Sequence, residues 1–342
     1  MAPIGAAGGS VFPGFFVQLL DWKWLYFFLA MVGTVVFLVF ALIVPGEPEP
    51  MNPGGHIDYL GGFLGVTGLI LFNFVWNQAP VVGRDTPYIY ILLIVSILVF
   101  AAFVAWEWKG TKFPILPLSL FQAPTFSAMI VAAFLTFMSV GIVTWYITVI
   151  NINIRHYTIF EDAASYATLA VCGACAALLS AVCIRVLPAQ AIMVIGSLGS
   201  GCALILVATS PAHQTYWAQF FPALMLTALG PDFLFTASQI VASNSVSRQQ
   251  QGVAGSFIGT LLAYGLSTGL GFAGTVDVYT KRSGKDELGG HRRALWLGVG
   301  FAFTASIVAV LFVRIPKDTR EGWDEEKSDS ETRAPVPVHR SA

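Results

Sequence analysis

The sequence predicts an all-α, polytopic helical membrane protein with about ten transmembrane helices, and three observations carry that reading. Of the 342 residues, 56% are apolar and 11% charged, against roughly 25% charged in a soluble domain, and mean hydropathy is +0.73. The charges are also segregated: thirteen of 37 fall in residues 314–342 and eight in 277–293. Between them lie long runs with no ionised residue, at 24–46, 59–83, 86–106, 113–154, 163–184, 186–231, 249–276 and 294–313. A bilayer core about 30 Å thick needs about 20 such residues per helix. Apolar alternation of the kind a β-barrel needs is absent. The net charge of -1 offers no basic footprint, which argues against a nucleic-acid partner.

In chain order the spans are expected at about 3–20, 23–44, 59–78, 88–107, 125–150, 163–187, 189–209, 214–241, 252–276 and 293–313. The two longest runs divide at Leu187-Pro188 and at Ser210-Pro211-Ala212-His213, where proline and polar residues interrupt the apolar pattern. Residues 45–55 read as an extended Pro/Gly linker. Residues 107–124, with Pro114, Pro117 and several large apolar residues, read as a segment lying at the membrane interface. Residues 277–293 read as a polar loop of mixed sign, and the tail from 315 as cytoplasmic and disordered. Arg314, Lys317 and Arg320 favour a cytoplasmic C-terminus, and an even span count then puts the N-terminus on the same side.

Several local patterns are set aside on physical grounds. Met1 to Leu20 has no basic residue ahead of its apolar stretch, so it does not read as a secretory signal. Cys172, Cys175, Cys183 and Cys202 all fall in expected spans, and Cys172-x-x-Cys175 lacks the further ligands a zinc site needs. No metal or cofactor is expected. Paired carboxylates, a His cluster or a nucleophile–base pair would mark an enzyme. The five histidines are scattered, so an intramembrane enzyme is the weaker alternative.

Asp232 stands out as an acid deep within a long apolar span. A carboxylate at the centre of a membrane helix costs about 2.5–3.5 kcal/mol on insertion scales and is tolerated toward a bundle interior or watery cavity. Asp232, Thr236, Gln239 and Ser243 follow at i, i+4, i+7 and i+11, one stripe of a helix. Gly230-Pro231 just before it frees backbone groups that can line a cavity. This stripe is read either as a substrate or proton contact or as a structural acid held by a neighbouring helix. Thr136, Thr144, Thr148 and Asn151 form a second polar face, with Trp145 and Tyr146 beside it, suited to large, partly apolar substrates. Asn73, Trp76 and Asn77 are similar in type. Arg155-His156 and Glu161-Asp162 read as a solvated loop. Small residues recur at Gly61, Gly65 and Gly68, and again at Gly252, Ser256, Gly259, Ala263, Ser267 and Gly271, as helix packing in lipid requires.

Three stretches resemble one family. Residues 2–9 (APIGAAGG), Pro13-Gly14 and Asp21-Trp22-Lys23-Trp24 resemble an antiporter signature of a fifth helix and the entry to a sixth. Gly230-Pro231-Asp232-Phe233-Leu234-Phe235 with Ser243-Asn244-Ser245-Val246 is the second stretch. The third is Gln251-Gly252-Val253-Ala254-Gly255-Ser256 with Thr260, Tyr264, Ser267 and residues 270–276. Together they are similar to the major facilitator transporters of the fourteen-helix drug:H+ antiporter type, in particular a fungal aminotriazole-resistance-like branch.

The resemblance implies a major facilitator fold whose helices five to fourteen alone are represented. Residues 1–44 would be the last two helices of the N-terminal half, 45–124 a linker with an inserted helix pair and interfacial segment, and 125–314 the C-terminal six-helix half. It implies a secondary transporter exporting a small organic compound by proton antiport, acting as a monomer when complete. The partners would be substrate, protons and the lipid bilayer. The plasma membrane is expected, with the vacuolar membrane as the alternative. The second reading is a truncated fragment that does not transport. The resemblance makes the Asp232 span a pathway-lining helix, and the candidate pathway residues are Asp232, Thr236, Gln239, Thr144, Trp145, Tyr146 and Tyr264. Pro3, Gly5, Gly9, Pro13, Gly14, Gly252, Gly271 and Gly274 would be structural motif positions. It sets Asn73, Trp76 and Asn77 outside that pathway, on the inserted pair.

Overall fold

The computed structural model describes residues 2–44, 56–83, 86–111, 114–117, 120–121, 124–245, 251–281 and 286–314. Apolar runs in lipid leave backbone groups no water to bond, so each run closes its own hydrogen bonds as a helix. The helices are α1 (Ala2–Leu19), α2 (Trp22–Ile43), α3 (Tyr59–Val82), α4 (Pro87–Lys109), α5 (Pro124–Val149), α6 (Ile159–Ser165), α7 (Ala167–Val186), α8 (Ala189–Thr209), α9 (Tyr216–Ser245), α10 (Gln251–Thr280) and α11 (Glu287–Phe312). Among the described residues nine helical stretches are long and apolar enough to cross a membrane, α6 and α7 counting as one; α1, with 18 residues, stands apart from these nine.

Polar residues set the helix ends. Asp21, Asp58 and Asp286 accept from backbone N–H groups of the first turns of α2, α3 and α11. Thr158 and Glu161 form a reciprocal capping box on α6. The end of α5 widens into a π-helical turn, Ile150–Ile154, and His156 in the left-handed region (φ 56°) turns the chain out of it.

Helix α5 is the spine. Its first half packs Phe126, Met129 and Ala133 with Ile192 and Met193 of α8 and with Phe233, Leu234 and Ala237 of α9. Its second half packs Ile142, Tyr146 and Ile150 with Leu204, Phe220, Leu224, Leu295 and Val299. Gly141 and Gly269 allow α5 and α10 to touch along their backbones: a Cβ at either would stand 2.6 Å from a carbonyl oxygen of the other helix. By contrast α2 buries no residue and meets α1 through Phe28 against Phe12 and Phe16.

Four expectations change. Residues 277–293 are not one loop, because α10 continues to Thr280 and α11 begins at Glu287. Their charges can enter the helices because they are partnered: Asp277 with His291 and Lys281, Asp286 with Arg293. Glu107 belongs to α4 and is 5% exposed. Of the described residues after it, Leu120 is buried in the α5 core, with Leu116 and Phe121 against it. Asp162 is not solvated either; it is buried in α6 and accepts from Asn151 Nδ2 at 2.9 Å.

Candidate functional site

Helix α9 places the polar stripe. Its rear face carries Gly230, where a Cβ would collide with Ser200 Oγ of α8 and fall 3.1 Å from Val140 of α5. A Cβ at Gly196 of α8 would stand 2.6 Å from Leu234 and 3.1 Å from Phe233, and one at Gly199 3.2 Å from Leu229. That face is therefore pinned. Two residues beyond Gly230, a rotation of about 200°, Asp232 points the other way, half-buried. Pro231 supplies no N–H, which leaves the carbonyl one turn earlier without its helical donor.

The stripe is continuous on that face. Thr236 Oγ1 donates to the Asp232 carbonyl at 2.8 Å and lies 3.1 Å from Ser180 Oγ of α7. Gln239 Oε1 stands 3.6 Å from where Gly255 of α10 would carry a Cβ. Asp232, Thr236 and Gln239 thus line one strip running between α7 and α10, and Asp232 forms no ion pair among the described residues. The side chain of Ser243 lies outside the described residues.

The second polar face does not join this strip; its members diverge. Thr136 donates to Ala132 O and meets Ser197 of α8 at 2.8 Å, inside the bundle. Thr144 returns its hydroxyl to Val140 O at 2.8 Å, the usual satisfaction of a threonine within a helix. Thr148 meets the Tyr166 hydroxyl at 2.9 Å. Trp145 is 56% exposed, whereas Tyr146 is buried with its ring 5.4 Å from that of His291. Helical neighbours point about 100° apart, so one polar sequence cluster serves several interfaces.

Tyr264 belongs to a different place. Its hydroxyl donates to Leu69 O of α3 at 3.0 Å and its ring stacks on Phe134. Asn73, Trp76 and Asn77, set aside in the sequence reading, bind α3 to α10. Ser267 donates to Asn73 Oδ1 at 2.9 Å, Trp76 meets Phe272 edge-on at 4.4 Å, and the Trp76 backbone fills the space left by Gly271. Gly274 faces Pro80.

The motif positions of α1 divide as well. Gly14 is buried against Ala163 and Phe160 of α6, Pro13 sits inside the helix, and Gly5 and Gly9 face open space. Gly252 is open too. Pro3 lies in α1, its side chain outside the described residues.

Residues 1–272 match the Major Facilitator Superfamily. The chain belongs to that superfamily. This major facilitator chain is similar to the aminotriazole resistance protein of Saccharomyces cerevisiae, 31% identical over 92% of its own length and 58% of the relative's. It is also similar to the efflux pump terG of Aspergillus terreus, at 34% over 96% of the chain and 65% of that protein. A low affinity ammonium transporter of Saccharomyces cerevisiae is 34% identical over 91% and 61%. The chain spans about three fifths of the length of these relatives. It is a multi-pass integral membrane protein of all-helical fold.

Three buried acids, Glu107, Asp162 and Asp277, escaped the sequence reading. Each sits at the edge of a charge-free run, where a residue ending a helix and one beginning a loop look alike. The available signal was a nearby partner: Asn151 for Asp162, eleven residues away, and His291 for Asp277, fourteen residues away.

Proposed function

We propose that this chain forms part of a secondary transporter that exports a small organic compound in exchange for protons, with the Asp232 strip as one wall of the pathway. The observation that carries the reading is the half-buried carboxylate on the open side of α9, between α7 and α10, with no cation paired to it among the described residues. Helices α5 to α11 would be the C-terminal half and α1 and α2 the end of the N-terminal half. Of the relatives' names, one is an efflux pump, one a resistance protein and one an ammonium transporter, so direction and substrate are part of the proposal.

Alternating access would rock the two halves about a midplane site. A proton on Asp232 removes its charge and lowers the cost of closing apolar walls over it. Deprotonation favours the state in which water reaches it, so a proton gradient biases the two states in opposite senses. The plasma membrane is the proposed location, with the vacuolar membrane as the alternative.

A specific observation favours the second reading for residues 1–342 in isolation. Helix α2 buries nothing, so the N-terminal wall has no bundle to hold it, and this chain alone in liposomes is not expected to transport.

The test uses a chimera with the preceding helices of a relative such as terG placed ahead of this chain, assayed for dye or drug efflux under an imposed pH gradient. Asp232→Glu should retain partial flux and Asp232→Asn should lose at least tenfold at equal surface expression. Thr236→Val and Gln239→Leu should shift substrate preference. Flux of Asp232→Asn within twofold of the parent would assign the acid to packing, since Asn keeps size and hydrogen bonding without the titratable proton.

A further inference from the structure

Away from the Asp232 strip, α3, α4, α5, α10 and the segment after α4 border a half-open cavity of about 670 Å³. That is within the range of pockets that hold drug-sized molecules. Its walls are almost wholly apolar, with Phe100 and Phe103 from α4, Phe134 from α5 and Phe257 from α10, and Tyr264 closing one side. Bare backbone forms another side, because α3 presents Gly61, Gly62 and Gly65 there.

Among the described residues one carboxylate lines this space, Glu107, and it is 5% exposed. Its Oε2 accepts from Leu116 N at 3.2 Å. Its Oε1 is buried and accepts from nothing among the described residues. A carboxylate that only tied α4 to the following segment would need one oxygen; leaving the other bare in an apolar cavity is costly unless something meets it.

The surroundings state the sign of that missing partner. Asp58 Oδ2 and Glu107 Oε1 lie 2.7 and 2.8 Å from the place where Gly61 would carry a Cβ, so two carboxylates converge on one glycine. Both Asp58 oxygens are engaged, by Gly61 N–H and by Trp106 Nε1–H, each at 2.8 Å. Among the described residues no Lys or Arg lines the cavity. Lys109, the nearest base along α4, has its ammonium 4.9 Å from the Trp108 ring instead. An anion would be repelled here, and a neutral apolar molecule would leave Glu107 Oε1 unmet.

We propose that this cavity binds an amphiphilic organic cation, its charge against Glu107 Oε1 and its apolar body among the phenylalanines. Aromatic faces add a further attraction for a cation. A phospholipid would bring its phosphate toward two carboxylates and fits less well. This inference stands apart from the proposed pathway, because it concerns binding at the α3–α4 pair and not flux past Asp232.

The experiment uses the full chain purified in detergent, with two probes of the same shape and opposite charge, tetraphenylphosphonium and tetraphenylborate. Saturable binding of the cation and none of the anion is expected. A unit charge a few ångströms from a carboxylate in a partly buried site interacts strongly enough that removing it should weaken binding about tenfold or more. Glu107→Gln should show that loss, while Lys281→Met, whose partner is Asp277 and which does not line the cavity, stays within twofold of the parent. Val66, which lines the cavity and is 57% exposed, gives a second variant, Val66→Trp, that should fill the space and also lower affinity about tenfold. Cation binding unchanged in Val66→Trp, or in monodisperse Glu107→Gln, would overturn the proposal. So would equal binding of both probes, or an equal loss in Lys281→Met.

Discussion

His291 Nδ1 lies 3.2 Å from both carboxylate oxygens of Asp277, at a point where the two residues are 2% and 7% exposed. The contact joins the last turns of α10 to the first turn of α11. Lys281 adds an ion pair to Asp277 from the more exposed side at 3.2 Å. Removing the acid leaves a buried imidazole and a lysine without their acceptor, and an unmet buried polar group costs about 1–3 kcal/mol. Asp277→Ala should therefore lower the temperature of thermal aggregation in detergent by several degrees. Lys281→Met, at the exposed edge, should change it little, because such pairs contribute about 1 kcal/mol or less. Equal losses for the two variants would contradict this account.

Glycines of α10 should divide by what they face. A Cβ at Gly269 would stand 2.6 Å from Met138 O, and backbone cannot move aside without separating α5 from α10. Overpacking of this kind costs about 1–3 kcal/mol. At Gly259 nothing lies within 4 Å, and alanine is the better helix former by about 1 kcal/mol. Gly269→Ala should reduce yield of monodisperse protein, and Gly259→Ala should leave it unchanged or improve it, as read by size-exclusion chromatography.

Asp58 couples the start of α3 to α4, and its pH dependence has a definite sign. The Gly61 N–H bond, foremost, holds its carboxyl below the usual range. A depressed folded-state pKa means its contribution is complete above the unfolded value of about 3.9 and is lost as pH falls through the lower folded one. Trp106 fluorescence, isolated by difference against Trp106→Phe, should change over that acidic window and stay flat from pH 5 to 8. Asp58→Asn should abolish the acid step. A step that survives Asp58→Asn would assign it to another carboxylate.

Orientation is open to direct labelling. Both ends of this chain are expected on the cytoplasmic side: α1 together with the nine spans makes an even count, and the basic Arg314, Lys317 and Arg320 in the sequence favour the inside; residues 282–285, which lie outside the described residues, are then expected on the other face. Ser283→Cys, with the four native cysteines replaced, should react with an impermeant maleimide added to intact cells. Reaction only after permeabilisation would reverse the topology.

The class and most of the helix positions were legible from composition and charge spacing alone. Charge-free runs of span length in a chain with 11% charged residues admit one solution in lipid, and the breaks at Leu187-Pro188 and Ser210-Pro211 stand where proline stops a helix. The alignment of Asp232, Thr236 and Gln239 on α9 was also legible, because residues on one helix keep a known angular relation. Partnership between helices was not. Thr144, Trp145 and Tyr146 are consecutive, yet they turn to their own helix carbonyl, to the open surface and to the buried core, according to which neighbour each meets. Asn73 and Trp76 acquired a role only when α3 lay against α10. Asp277 looked like a loop charge and Glu107 like the start of an interfacial segment until tertiary packing gave one a histidine and left the other with an unmet oxygen. A charge at the end of an apolar run can face water or a partner from a distant helix, and local pattern is the same in both cases. Tertiary packing chooses between them, because it alone sets the cost of burial against the gain from the group it meets.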